Sequence, residues 1–100
     1  MQTYKLKTQY SDYNVIIESG KYRTGRLALE LIDAEDGCPV MTATVNLPEV
    51  KLEENEIIIK NYSENEGVLE FLIENKITSN PVRWVNNGFV NFPIVKIINK

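Results

Sequence analysis

The chain has 100 residues, 43% of them hydrophobic, which is enough for one modest core, so we expect a single domain spanning residues 1–100. It has no histidine and one cysteine, Cys38, which excludes Ser-His-Asp and Cys-His catalytic systems, zinc sites that use imidazole and an internal disulfide. The net charge of −3 hides a polarised sequence, because residues 27–76 net −9 while residues 1–26 and residues 77–100 each net +3.

Strands are predicted through the first part of the chain. Tyr4 and Leu6 indicate a short first strand, and the β-branched run within residues 13–22 indicates a second. Apolar residues alternate along residues 26–33 and again along residues 40–47, so these two segments are predicted to pair as a hairpin across a polar turn.

A further strand and one helix follow. Three consecutive isoleucines at 57–59 predict a strand that is covered on both faces. The helix is predicted at about residues 63–75, because Ser63 and Glu66 have the spacing of a capping box and Asn75-Lys76 is a plausible stop. Its apolar face would comprise Val68, Leu69, Leu72 and Ile73.

Gly67 is unexpected inside this helix, since a glycine there costs about 1 kcal/mol relative to alanine. Either a neighbouring strand approaches it closely, or it is a tolerated imperfection in the first turn.

A second hairpin is predicted near the end of the chain. Residues 82–86 and 89–98 flank Asn87-Gly88, the dipeptide favoured in a two-residue type I′ turn. Trp84 lies in the first of these strands, where a core position is favoured over a role as an interface anchor. Together the elements predict an α+β domain, a curved, mostly antiparallel sheet of five to seven strands with one helix packed on it.

Two loops imitate ligand-binding motifs without completing them. Counted from Asp33, an EF-hand loop would need its glycine at position 6 and a glutamate at position 12, but the chain has Gly37 at position 5 and Thr44 at position 12. Gly20 and Gly25 have phosphate-loop spacing, yet Arg26 replaces the required lysine. No metal or cofactor is therefore expected, and Cys38, with no neighbouring cation, is expected to be unreactive.

The acidic middle of the chain is the main candidate for function. A dense carboxylate surface is usually a solvated face that keeps a small protein soluble, but it can also imitate the phosphates of a nucleic acid and occupy a basic channel. The candidate contacts at the hairpin tip and on the helix are Asp33, Glu35, Asp36, Glu64, Glu66, Glu70 and Glu74.

Two other hypotheses remain open. The basic loop that carries Lys21, Arg23 and Arg26 could contact the phosphates of a nucleic acid, although a solvated connection is favoured. Alternatively, the sheet edge and Trp84 could mediate self-association of an accessory module. The start of the chain lacks the apolar core of a signal peptide, and no apolar run approaches a membrane span, so we expect a cytoplasmic protein without a membrane partner.

Several segments resemble a family of small proteins of unknown function carried by plasmids, conjugative elements and phages of gut and Gram-positive bacteria. They are residues 29–37 (LELIDAEDG), 42–48 (TATVNLP), 59–69 (IKNYSENEGVL) and 88–90 (GFV) with Pro93. The resemblance covers about residues 26–95 and carries no catalytic motif. It implies a mobile-element setting, in which proteins of this size often inhibit host defence, and some resemble anti-CRISPR proteins.

The resemblance and the acidic segment together predict a non-enzymatic inhibitor that binds a basic protein stoichiometrically. The partner they imply is a type II RNA-guided nuclease. The basic N-terminal region departs from a pure DNA mimic and leaves open a second contact to guide RNA. The oligomeric state stays open.

Overall fold

The computed structural model describes residues 2–7, 11–62, 65, 67–86 and 88–98. It confirms the α+β class, with seven antiparallel strands and a single short helix in the described chain. The strands form two sheets, of four and three strands. The elements are β1 (Tyr4–Lys7), β2 (Asp12–Lys21), β3 (Leu27–Asp33), β4 (Pro39–Thr42), β5 (Glu56–Ile58), α1 (Val68–Glu74), β6 (Arg83–Asn86) and β7 (Asn91–Lys96).

The four-stranded sheet has the order β1-β2-β3-β4 and separates its residues by alternation. Val15 lies opposite both Tyr4 and Asp33, and Leu31 lies opposite Ile17, so these residues share one face. That face joins α1 in the main core. The opposite face carries exposed side chains such as Glu18 and Glu30, which stand directly across from each other.

The three-stranded sheet has the order β5-β7-β6 and is covered on both faces. Ile57 and Val95 lie opposite each other and belong to the main core with α1. Ile58, Phe92 and Ile94 form a second core cluster, against which apolar residues of the segment 45–52 pack. The prediction that the isoleucine run is covered on both faces is therefore confirmed.

The two sheets meet where β4 ends. Thr44 forms a bridge with Ile59, and the Lys60 N–H donates to the Ala43 carbonyl at 2.8 Å. The hairpin predicted for residues 26–33 and 40–47 is confirmed, but the second segment changes partner along its length. Residues 39–42 pair with β3, and the Ala43 N–H still donates to the Leu29 carbonyl. The Val45 N–H instead donates to the Ile58 carbonyl of β5.

The helix begins later than predicted, at Val68, with Gly67 as its N-cap. Gly67 has a φ of 96°, which an L-residue rarely adopts. A methyl group added there would meet no atom within 4 Å, so the predicted close approach of a strand is wrong. The Asn61 side chain accepts a hydrogen bond from the Leu69 N–H at 3.1 Å. The predicted capping box of Ser63 and Glu66 lies outside the described residues.

The helix ends at the predicted position. Lys76 has a φ of 59°, and its N–H donates to the Ile73 carbonyl at 3.0 Å. The Ile77 N–H donates to the Leu72 carbonyl at 2.9 Å. This pair of bonds is a Schellman motif, with Lys76 in the position that glycine usually occupies.

The last hairpin is confirmed, but its two-residue turn is wrong. Asn86 lies opposite Asn91, so residues 87–90 form the loop. Gly88 has the expected positive φ, at 99°, and Asn87 lies outside the described residues. The core position expected for Trp84 is also wrong, because this side chain is 56% exposed on β6, an outer strand of its sheet.

Candidate functional site

The hairpin between β3 and β4 presents its acidic residues on a fixed backbone. The Asp33 carboxylate accepts from the Glu35 N–H, and the Asp36 carboxylate accepts from the Cys38 N–H, both at 2.8 Å. The Gly37 N–H also donates to the Asp33 carbonyl at 2.9 Å. Glu35 and Asp36 are exposed, so the turn holds a small group of carboxylates in a defined arrangement.

The tip of this hairpin, residues 33–38, is not surrounded by acidic residues alone. Asp33 and Glu35 line a cavity of about 420 Å³ together with Lys5, Lys7 and Asp12; the other lining residues are Leu6, Tyr13 and Asn14. Two lysines and three acidic residues therefore line the same cavity. The basic start of the chain therefore reduces the negative field on one side of the tip.

Two further predicted contacts lie on the helix. Glu70 and Glu74 are exposed, one turn apart, on the side away from buried Val68 and Leu72. Neither carboxylate forms an ion pair with another described residue. Glu64 and Glu66, the other predicted helix contacts, lie outside the described residues.

One aromatic side chain of the helix packs against the cross-strand row that ends in Asp33. The rings of Tyr4 and Phe71 meet edge to face, with 6.3 Å between their centroids. Tyr4, Val15 and Asp33 form one cross-strand row, so Phe71 packs over the row that ends in Asp33. Adjacent strands are about 4.8 Å apart, so Tyr4 and Asp33, at the two ends of this row, are about 10 Å apart.

The basic loop is only partly available for a nucleic acid. Lys21 and Arg23 are exposed. Arg26, in contrast, donates from Nη1 to the Leu47 carbonyl at 2.6 Å, and from Nη2 to the carbonyls of Pro48 and Val50. Arg26 therefore anchors the segment that covers the three-stranded sheet, and its donors are engaged.

A second arginine anchor, at Arg83, was not predicted from the sequence. This side chain donates to the Glu56 carboxylate at 2.8 Å and to the Lys51 carbonyl at 2.6 Å. Glu56 is only 6% exposed and also accepts from the Glu53 N–H at 2.8 Å. Burial alone would raise the pKa of Glu56, but the Glu53 amide and the Arg83 guanidinium outweigh it and hold that pKa below its usual range.

Sequence analysis also missed an exposed apolar group at β6 and its hairpin. Val82 is 46% exposed, Trp84 is 56% exposed and Phe89 is 93% exposed. Val82 and Trp84 are two positions apart, a spacing that places strand residues on one side. That spacing in the sequence indicates that the two side chains share one side of a strand. It does not reveal that this strand is outermost in its sheet, which is why both side chains are exposed.

The described residues were compared with the requirements of a metal site and of a reactive thiol. They contain no group of three or more His, Cys, Asp or Glu side chains that could hold a metal ion. Cys38 is exposed, and the neighbouring Asp36 carboxylate raises the pKa of its thiol, which disfavours the reactive thiolate. None of the described helices is long and apolar enough to cross a membrane.

The chain matches no protein-family model, and no curated protein and no solved structure is similar to it. The resemblance to mobile-element proteins therefore stays a prediction.

Proposed function

We propose that this chain is a non-enzymatic cytoplasmic protein that inhibits a type II RNA-guided nuclease by stoichiometric binding, in the manner of an anti-CRISPR protein. The observation that carries this proposal is the exposed carboxylate pair Glu70 and Glu74 on the helix, together with the exposed acidic residues Glu35 and Asp36 of the hairpin tip. A basic channel built for nucleic acid would bind such a surface by charge complementarity.

The internal hydrogen bonds of two arginines also favour an inhibitor over a nucleic-acid binder. Arg26 and Arg83 engage carbonyls and the buried Glu56 within the molecule, so part of each guanidinium is already committed to internal hydrogen bonds. This leaves Lys21 and Arg23 as the exposed cations of the basic loop. The alternative, a nucleic-acid binder, loses one of its three contacts, and retention on duplex DNA or RNA at low salt separates the two hypotheses.

The test is a DNA-cleavage assay with a purified type II nuclease and two matched double variants. Glu70→Gln with Glu74→Gln removes two charges from the helix and keeps its shape. Glu18→Gln with Glu30→Gln removes two exposed charges from the opposite face of the sheet. We expect the helix variant to inhibit about tenfold more weakly, equivalent to about 1.4 kcal/mol, and the control variant to inhibit like the parent.

The tip can be tested without unfolding its turn. Asp36→Asn removes the charge but keeps a side-chain oxygen that can accept from the Cys38 N–H. Weaker inhibition by this variant would add the tip to the contact surface. If the helix variant inhibited as well as the parent, the helix would not be the contact face. If several such nucleases were not inhibited at all, the proposed function would be wrong.

A further inference from the structure

The outer strand β6 has backbone groups that point away from its sheet. The Pro93 carbonyl accepts from the Ile59 N–H at 3.0 Å, so the polar groups of Pro93 face β5. Trp84 lies opposite Pro93, which makes this a pair without mutual hydrogen bonds. The N–H and C=O of Trp84 therefore point outward, and those of Asn86, two residues further on, do the same.

The outer strands β1 and β6 differ in how they are protected. β1 carries Lys5 and Lys7, and lysine on an edge opposes pairing with another strand. The only charged residue of β6 is Arg83, whose guanidinium is paired with Glu56. Exposed Val82 and Trp84 add apolar surface beside this unprotected edge.

Independently of the inhibitory function, we infer that β6 pairs antiparallel with β6 of a second copy of this chain. A two-fold axis at Val85 places Trp84 opposite Asn86 of the second copy, so the outward N–H and C=O groups of both residues find partners. No unpaired charges of like sign meet in this arrangement, because Arg83 is already neutralised.

The other possible edge pairing, β6 with β1 of a second copy, is disfavoured. It would pair β6 with a strand whose Lys5 and Lys7 oppose edge pairing, and it would leave β1 of one copy and β6 of the other free to add further copies. An unclosed arrangement of that kind builds a filament instead of a closed dimer. Charge and closure therefore both favour the symmetric pairing of β6.

The test is sedimentation of the full chain from low micromolar to near-millimolar concentration. Trp84 is the only tryptophan, so its fluorescence reports the same association. We expect the sedimentation coefficient to rise with concentration while the tryptophan emission shifts to the blue. A coefficient that stays at the monomer value throughout would overturn the inference.

Three variants separate the backbone contribution from that of the indole. Trp84→Ala removes the ring but keeps the outward N–H, and we expect the dissociation constant to rise about tenfold. Trp84→Pro also removes the N–H, which edge strands tolerate when it faces outward, and we expect no association. Trp84→Lys places a charge on the edge and should also abolish association. This variant tests the inference even if the proline variant does not fold. Unchanged association of Trp84→Lys would overturn the inference, as would equal association of the folded proline and alanine variants.

Discussion

The two sheets contain similar apolar residues but bury them differently. The four-stranded sheet places Leu29 and Leu31 against the helix and leaves Glu18 and Glu30 in solvent. The three-stranded sheet has the helix on one side and the segment 45–52 on the other, and its strands β5 and β7 are almost continuously buried. Alternation marks the first sheet in the sequence, and an unbroken apolar run marks the second.

Two long-range anchors hold the segment 45–52 over the three-stranded sheet. Arg26 donates to carbonyls at residues 47, 48 and 50, and Arg83 donates to the carbonyl at residue 51. These donors supplement the apolar side chains of the segment, such as Leu47 and Val50, which pack on the sheet. An irregular segment can therefore bury the second face of a strand when charged side chains satisfy the backbone of that segment.

The largest expected effect contrasts an isoleucine from each sheet. Ile58 is 1% exposed in the doubly covered sheet, whereas Ile16 is half-buried on the open face of the other. Ile58→Ala should destabilise the fold by about 2–5 kcal/mol, because it leaves a cavity. Ile16→Ala should cost about 1 kcal/mol, because solvent fills the space. Urea unfolding measures both, and equal losses would contradict the difference in cover.

The next effect concerns the anchor between Arg83 and Glu56. Arg83→Met should cost about 1–3 kcal/mol at neutral pH, since it leaves the buried Glu56 carboxylate without its cation. The lowered pKa of Glu56 stabilises the fold above the ordinary glutamate pKa of about 4.3. That contribution is lost as the pH falls through the folded-state pKa.

The control for this pH dependence is Glu56→Gln, which cannot titrate. Urea midpoints at neutral pH and near pH 3 should differ less for this variant than for the parent chain. Identical pH dependence in the two proteins would show that Glu56 does not contribute to acid unfolding.

The smallest expected effect tests the helix that covers both sheets. Gly67→Ala forces an L-residue to a φ of 96° and should cost about 1–2 kcal/mol. Gly20→Ala, in strand β2 with open space around it and no positive φ, should be neutral or stabilising by about 0.5 kcal/mol. Thermal unfolding measures the melting temperature of both variants. Equal shifts in melting temperature would contradict the claim that Gly67 is required for its positive φ.

Local patterns in the sequence predicted much of this fold. Alternation located the hairpin of β3 and β4, the isoleucine run located β5, and Asn75-Lys76 located the end of the helix. The capping-box spacing of Ser63 and Glu66 predicts a helix that includes Gly67, whereas the helix begins one residue after Gly67. A glycine signals freedom at φ without revealing whether a helix starts or continues there.

Long-range contacts explain what the sequence could not reveal. Arg26 and Glu56 find their partners 21 to 27 residues away, so neither anchor has a local signature. Trp84 is exposed because β6 is outermost, and strand order does not follow from spacing. Glu56 is buried beside its distant partner Arg83, whereas Glu70 and Glu74 are exposed.

The most direct test of the central claim is the salt dependence of inhibition in a nuclease-cleavage titration. Binding through exposed carboxylates to a basic channel predicts complete inhibition at one molecule of this chain per nuclease, weakening steeply as salt rises. Inhibition that is indifferent to salt, or that requires a large excess over the nuclease, would contradict binding through the acidic surface.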